Sequence, residues 1–127
     1  MTKDNLEFEL QKLGFDERQA RVYLAALELG PSPVQKIAQR AGIPRATTYL
    51  VLDDLRDKGL VTTFQQGKKA YFTVESPEQL NQFIKVRAQE LQEQEETVKD
   101  LVAELKTRGQ FEKQDSHPIV KFYEGQE

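Results

Sequence analysis

Apolar residues recur along this chain in blocks whose spacing changes from helical to extended and back again. Leu6, Leu10 and Leu13 fall at i, i+4 and i+7, which predicts a helix over residues 4–13 closed by Gly14. Asp16 and Gln19 have the spacing of a capping box, and a helix is expected from there to Leu29, with Gly30 and Pro31 behind it. Ala20, Val22, Tyr23, Leu24, Ala25, Ala26, Leu27 and Leu29 make that helix apolar almost all round, so it belongs at the buried centre of a domain.

The chain restarts at Ser32-Pro33. Ser32 and Gln35 form a second capping-box pattern, with Pro33 suited to the first helical position. Val34, Ile37, Ala38 and Ala41 make an apolar stripe, and Gln35, Lys36, Gln39 and Arg40 lie opposite. Gly42 closes this short helix. Ile43-Pro44 opens the next, with Pro44 at its first position, and Thr48, Val51, Leu52 and Leu55 repeat the stripe until Lys58-Gly59. Two helices joined by a short Gly-containing turn have helix-turn-helix spacing.

Residues 60–64 and 70–74 are rich in β-branched and aromatic residues, with a Gly-containing loop, Gln65-Gln66-Gly67-Lys68-Lys69, between them. A helix-turn-helix followed at once by a hairpin is a winged helix, and Lys68 and Lys69 sit at the tip of the wing. Ser76-Pro77-Glu78-Gln79 then starts a helix that runs to about Arg108, roughly 30 residues or about 45 Å at 1.5 Å per residue. Ile84, Leu91, Val98 and Leu105 recur every seven residues, and Leu80, Arg87, Gln94 and Leu101 form the companion series, a coiled-coil pattern. Residues 118–123 read as a strand. The expected fold is mainly α with a small β-hairpin wing: a winged helix-turn-helix followed by a long coiled-coil dimerisation helix. The expected division is 1–75 winged-helix DNA-binding domain, 76–108 coiled-coil helix, and 109–127 linker and start of a C-terminal domain that is absent.

Composition narrows the chemistry. The chain has no Cys, no Trp and a single His, His117, in the linker. Disulfides, a cysteine nucleophile and zinc-finger ligation are therefore excluded. The glycines make no phosphate-binding loop, and most carboxylates lie on exposed helix faces, so no catalytic site, metal site or cofactor is expected. No apolar run approaches the roughly 20 residues of a membrane span, and the N-terminus lacks a signal-peptide core, so a soluble cytoplasmic protein is the expectation. Net charge is −3, yet it is unevenly spread. Residues 31–70 carry Lys36, Arg40, Arg45, Arg56, Lys58, Lys68 and Lys69 against Asp53, Asp54 and Asp57. A basic island in an acidic chain is the footprint expected for a phosphate-backbone partner such as double-stranded DNA; the plainer alternative is chance clustering of charge.

Leu13-Gly14-Phe15, Ala20-Arg21-Val22-Tyr23-Leu24, Gly42-Ile43-Pro44-Arg45, Thr48-Tyr49, Leu52, Leu55 and Lys58-Gly59-Leu60-Val61 together resemble the winged-helix domain of the TrmB-like transcription regulators. The resemblance is close over about residues 5–75, and the coiled-coil helix also fits. Pro118 to Gly125 resembles the start of that family's C-terminal effector domain, which often binds sugars. A sugar effector would act only through that missing domain, so ligand control does not carry over.

In a helix-turn-helix the second helix presents its N-terminal residues to base edges in the major groove. Arg45 can reach a guanine edge or a phosphate, Ala46 and the Thr47 methyl can meet thymine methyls, and Tyr49 can donate to phosphate. Leu50 also faces outward, which leaves a thymine-methyl contact or a register one residue out. Asp53, Asp54 and Asp57 restrict groove entry to the first two turns. The N–H groups of the preceding helix, opened by Ser32 and Gln35, can hold a phosphate, with Lys36 and Arg40 along it. Lys68 and Lys69 can enter or flank a minor groove. The plainer alternatives are solvated helix charges for Lys36 and Arg40, an edge-protecting turn for the wing lysines, and mere surface positions for Arg45 and Tyr49.

Specific reading usually doubles a short site through a two-fold homodimer on a pseudo-palindrome. Leu80, Ile84, Leu91, Val98, Leu101 and Leu105 would form the seam, with Arg87 and Gln94 fixing register. The alternative is that this helix packs on the missing effector domain. The rival function is a winged-helix protein-interaction module working through its coiled coil.

Overall fold

A computed structural model describes residues 2–110. Its elements run α1 (Lys3–Lys12), α2 (Glu17–Leu29), β1 (Ser32–Pro33), α3 (Val34–Ala41), α4 (Arg45–Asp57), β2 (Val61–Gln66), β3 (Lys69–Val74) and α5 (Gln79–Arg108). The expected strand at 118–123, the linker His117 and the opening of a C-terminal domain lie outside the described residues. The chain divides into two compact units, Met1–Val86 and Arg87–Glu127.

The first unit is a winged helix-turn-helix. Helix α2 is its buried centre: Ala20, Val22, Tyr23, Leu24, Ala25 and Ala26 are all buried. It opens on the capping box read from the sequence, with Gln19 N–H donating to Asp16 Oδ1 at 2.7 Å and Asp16 N–H donating to Gln19 Oε1 at 2.8 Å. Ile37, Leu52, Leu55 and Leu60 are fully buried around it, each contributing about 1.5–3 kcal/mol of apolar burial. Thr48 is buried too; its hydroxyl donates to Pro44 O at 3.0 Å, which satisfies the one polar group on the inner stripe of α4.

Three details differ from the sequence reading. Helix α3 starts at Val34, and its N-cap is Pro33, without a side-chain cap. Ser32 is no cap: it pairs with Phe72 in the sheet, and its hydroxyl donates to Gly30 O at 2.9 Å. The pairing with β3 holds Ser32-Pro33 extended, as the residue before a proline prefers, and turns a two-stranded hairpin into a three-stranded sheet of order β1-β3-β2. Helix α4 likewise starts at Arg45, with Pro44 as N-cap. The wing is tighter than a five-residue loop. Gln66 pairs with Lys69, leaving the two-residue turn Gly67-Lys68, with Gly67 at φ 68°. A Gly at the first turn position matches the twist of the flanking strands, and it moves Lys69 from the tip into β3.

The start of α5 belongs to the first unit. Phe83 is buried, with its ring 5.5 Å from that of Phe15, edge to face. Leu80 is half-buried and packs against the same core. The second unit contains the rest of α5, where Leu91, Val98, Leu101 and Leu105 are 50–55% exposed. Among the described residues no helix is long and apolar enough to cross a membrane.

Candidate nucleic-acid interface

The helix-turn-helix turn is built by three groups. Gly42 adopts the left-handed conformation, φ 71° and ψ 37°, and its N–H donates to Ala38 O at 2.8 Å. Ile43 N–H donates to the same carbonyl at 3.1 Å. From α2, Arg21 Nη2 donates to Ala41 O at 2.6 Å, placing a cation at the negative end of α3. This clamp fixes the angle at which α4 leaves α3.

Between the two helices and the wing lies a groove of about 430 Å³ lined by Gln35, Lys36 and Gln39 of α3, Arg45 and Tyr49 of α4, and Lys68, Lys69 and Phe72 of the wing. Arg45 also lines two neighbouring concavities. Tyr49 is 49% exposed and held edge-on against Phe72, ring centroids 6.1 Å apart, so α4 and the sheet position its hydroxyl jointly. Ala46 and Leu50 are exposed and Thr47 is half-buried, which sets the register of α4 as read from its stripe.

The N-termini facing this groove differ from those of α1 and α2. Helices α1 and α2 are capped by the side chains of Thr2 and Asp16 and carry Asp4 and Glu17 in their first turns. Helices α3 and α4 have no side-chain cap and no acid in the first turn. Their first N–H groups are orphaned donors at the positive ends of two helix dipoles. Arg45 and Lys36 sit in those turns, where a cation is disfavoured by about 0.3–1 kcal/mol. An arrangement that costs stability in the free chain and gathers donors and cations in one groove is suited to an incoming polyanion.

Other expected site residues fall differently. Ser32 is buried with its hydroxyl committed to Gly30, so its side chain does not reach the groove. Arg40 points to α2, where Nη2 donates to Glu28 Oε1 at 3.0 Å. The acids of α4 are partly neutralised. Arg56 lies 2.6 Å from Asp53 Oδ1, and Asp54 Oδ2 accepts from Gln19 at 2.6 Å and Lys58 at 2.7 Å. Gln39 lines the groove as well, although the sequence pattern marks it only as part of the polar face of α3; its place on the outer stripe between Gln35 and Gly42 is the signal that points to it. Among the described residues no group of His, Cys, Asp and Glu side chains could hold a metal ion.

This is the fold of the winged-helix DNA-binding transcription regulators. Residues 10–77 match the family of the sugar-specific transcriptional regulator TrmB, and the chain belongs to that family. The uncharacterized protein YrhO of Bacillus subtilis (strain 168) is 32% identical over 76 residues, 60% of this chain and 28% of its own length. TrmBL2, an archaeal chromatin protein with a novel mode of DNA binding, is 29% identical in sequence. Its structure matches 84% of this chain and 41% of its own with a TM-score of 0.69. A regulator of the MarR family from Silicibacter pomeroyi, 17% identical with a TM-score of 0.51 over 83% of this chain and 80% of its own, shares the fold alone. The chain thus spans well under half the length of YrhO and of TrmBL2.

Proposed function

We propose that the groove between α3, α4 and the wing holds double-stranded DNA, and that the chain is a sequence-specific transcription regulator acting as a homodimer on a pseudo-palindromic operator. The observation that carries this reading is the convergence of two uncapped helix N-termini with Lys36, Arg45, Lys68 and Lys69 on one groove. The first two turns of α4 enter the major groove, with Arg45 and Ala46 toward base edges and Tyr49 on a phosphate. Gln35 and Lys36 hold a phosphate at the start of α3, and the wing lysines follow the flanking backbone or minor groove. Ion pairs at Asp53 and Asp54 limit the repulsion that those carboxylates exert on the backbone.

Dimerisation rests on the second unit. Apolar side chains at Leu91, Val98, Leu101 and Leu105 stand half-exposed at heptad positions, and pairing two such helices buries them. Leu80 gives part of its surface to the winged-helix core instead, so the seam depends mainly on the later heptads.

Binding measured by fluorescence anisotropy across a salt series tests the reading. Three cations per subunit in phosphate contact, Lys36, Lys68 and Lys69, predict a slope of log affinity against log salt of about −2.7 per bound subunit, at roughly −0.9 per phosphate. Lys36→Ala reduces the slope by about 1 per subunit. A flat salt dependence, with the chain dimeric in solution, would instead favour a protein-interaction module.

A further inference from the structure

Over its first two turns the outward face of α4 carries an unusual feature for a DNA-reading surface: an apolar strip. Leu50 is 68% exposed, more than any other large apolar side chain among the described residues. A single exposed leucine is ordinary on a protein surface. This one lies one helical turn after Ala46, so the two side chains form a continuous apolar strip along the helix. Arg45 and Tyr49 border the strip on the groove side. Beyond it the charged pairs Asp53–Arg56 and Asp54–Lys58 begin. Among the described residues Leu50 lies outside the core cluster, which α4 enters through Val51, Leu52 and Leu55 on the opposite side of the helix, with Thr48 buried beside them.

In the major groove, the one base-edge group that matches an exposed aliphatic strip is the C5-methyl of thymine. We infer that Ala46 and Leu50 make this chain a reader of pyrimidine C5-methyl groups, with Leu50 the specificity-determining residue beside the polar contact of Arg45. The inference rests on the DNA-binding reading above and sharpens it to a chemical class of base. Thymine at the positions under the strip is required for its methyl group and not for its hydrogen-bonding edge. Uracil, which pairs identically but lacks the methyl, therefore weakens binding, and 5-methylcytosine at the same positions partly substitutes for thymine.

The test uses the full chain and a duplex enriched from random sequence. Each thymine is replaced singly by deoxyuridine, and affinity is measured for the native chain and for Leu50→Ala. At one or two thymines in each half-site the native chain loses about fourfold per methyl, the equivalent of roughly 0.8 kcal/mol for one buried methylene-sized group. In Leu50→Ala that discrimination falls to within about 1.5-fold, while the variant keeps its far-UV circular dichroism spectrum because Leu50 packs against nothing in the core. A native chain indifferent to uracil at every position, or a Leu50→Ala variant with unchanged discrimination, overturns the inference and leaves the DNA-binding reading standing. If no duplex is enriched at all, both readings fall together.

Discussion

Replacing Gly42 by Ala attacks the clamp that sets the helix-turn-helix angle, and its cost can be worked from two separable parts. The first is conformational. Gly42 sits at φ 71° and ψ 37°, and a residue with a Cβ pays about 1–2 kcal/mol to remain in the left-handed region. The second is steric. A Cβ at this position would stand 2.9 Å from Arg21 Nη2, inside contact distance, so the guanidinium must move off the carbonyl of Ala41 that it holds at 2.6 Å. Losing that hydrogen bond, with water able to replace part of it, costs about 1 kcal/mol. Gly42→Ala should therefore destabilise the winged helix by about 2–3 kcal/mol. In an Arg21→Ala background only the conformational part remains, about 1–2 kcal/mol, which leaves a coupling of about 1 kcal/mol between the two positions. Gly67→Ala is the natural control, because Gly67 has φ 68° and a Cβ there meets nothing within 4 Å. Urea unfolding at fixed protein concentration, followed by tyrosine fluorescence, to which Tyr23, Tyr49 and Tyr71 contribute from the winged helix, measures all five chains, the native one included. Equal cost of Gly42→Ala in the two backgrounds would refute the coupling, and a cost no larger than that of Gly67→Ala would refute the clamp.

The remaining expectations concern packing, capping, pH and binding. Phe83→Ala removes a buried ring from the contact with Phe15 and should cost about 3–5 kcal/mol in urea unfolding, with Phe83→Leu markedly milder. Asp16→Ala breaks the capping box of α2 and should cost about 1 kcal/mol by the same assay. Burial raises the Tyr23 hydroxyl above its ordinary value of 10.0, so the unfolded chain ionises first as pH rises. The stability this group contributes is whole below pH 10 and is lost above it. Tyr23→Phe should remove that part of the alkaline decline in a pH series of unfolding midpoints. Arg45→Ala should weaken binding to an enriched duplex by about 1–3 kcal/mol if the guanidinium pairs with a guanine, and relax selectivity at that base pair.

Much of this fold follows from periodicity because its core elements are amphipathic. The stripe of Thr48, Val51, Leu52 and Leu55 fixes both the helix and its rotation, and the exposure of Leu50 and Ala46 matches that rotation. The capping box at Asp16 and Gln19 is local chemistry, and so is legible in a single chain. What was not legible is long-range. Ser32 has the spacing of a cap, but pairing with Phe72, a residue 40 positions away, commits it to the sheet. Phe83 falls outside both heptad series, and its place in the core of the first unit, with its ring against Phe15, accounts for its burial. At the site, the cations were visible as residue types, whereas their partners were not: Arg40 turns to Glu28, while Lys36, Arg45, Lys68 and Lys69 meet around one groove. The missing side-chain caps of α3 and α4 became meaningful only beside the capped N-termini of α1 and α2.

The most direct measurement is selection of duplexes from a random double-stranded DNA library by the purified full chain at physiological salt, run in parallel with Arg45→Ala. The account predicts enrichment of a two-fold symmetric site by the native chain and loss of that enrichment in the variant. An unenriched library, or an enriched site that Arg45→Ala reads equally well, would contradict the claim that the groove of α3, α4 and the wing is where this chain reads DNA.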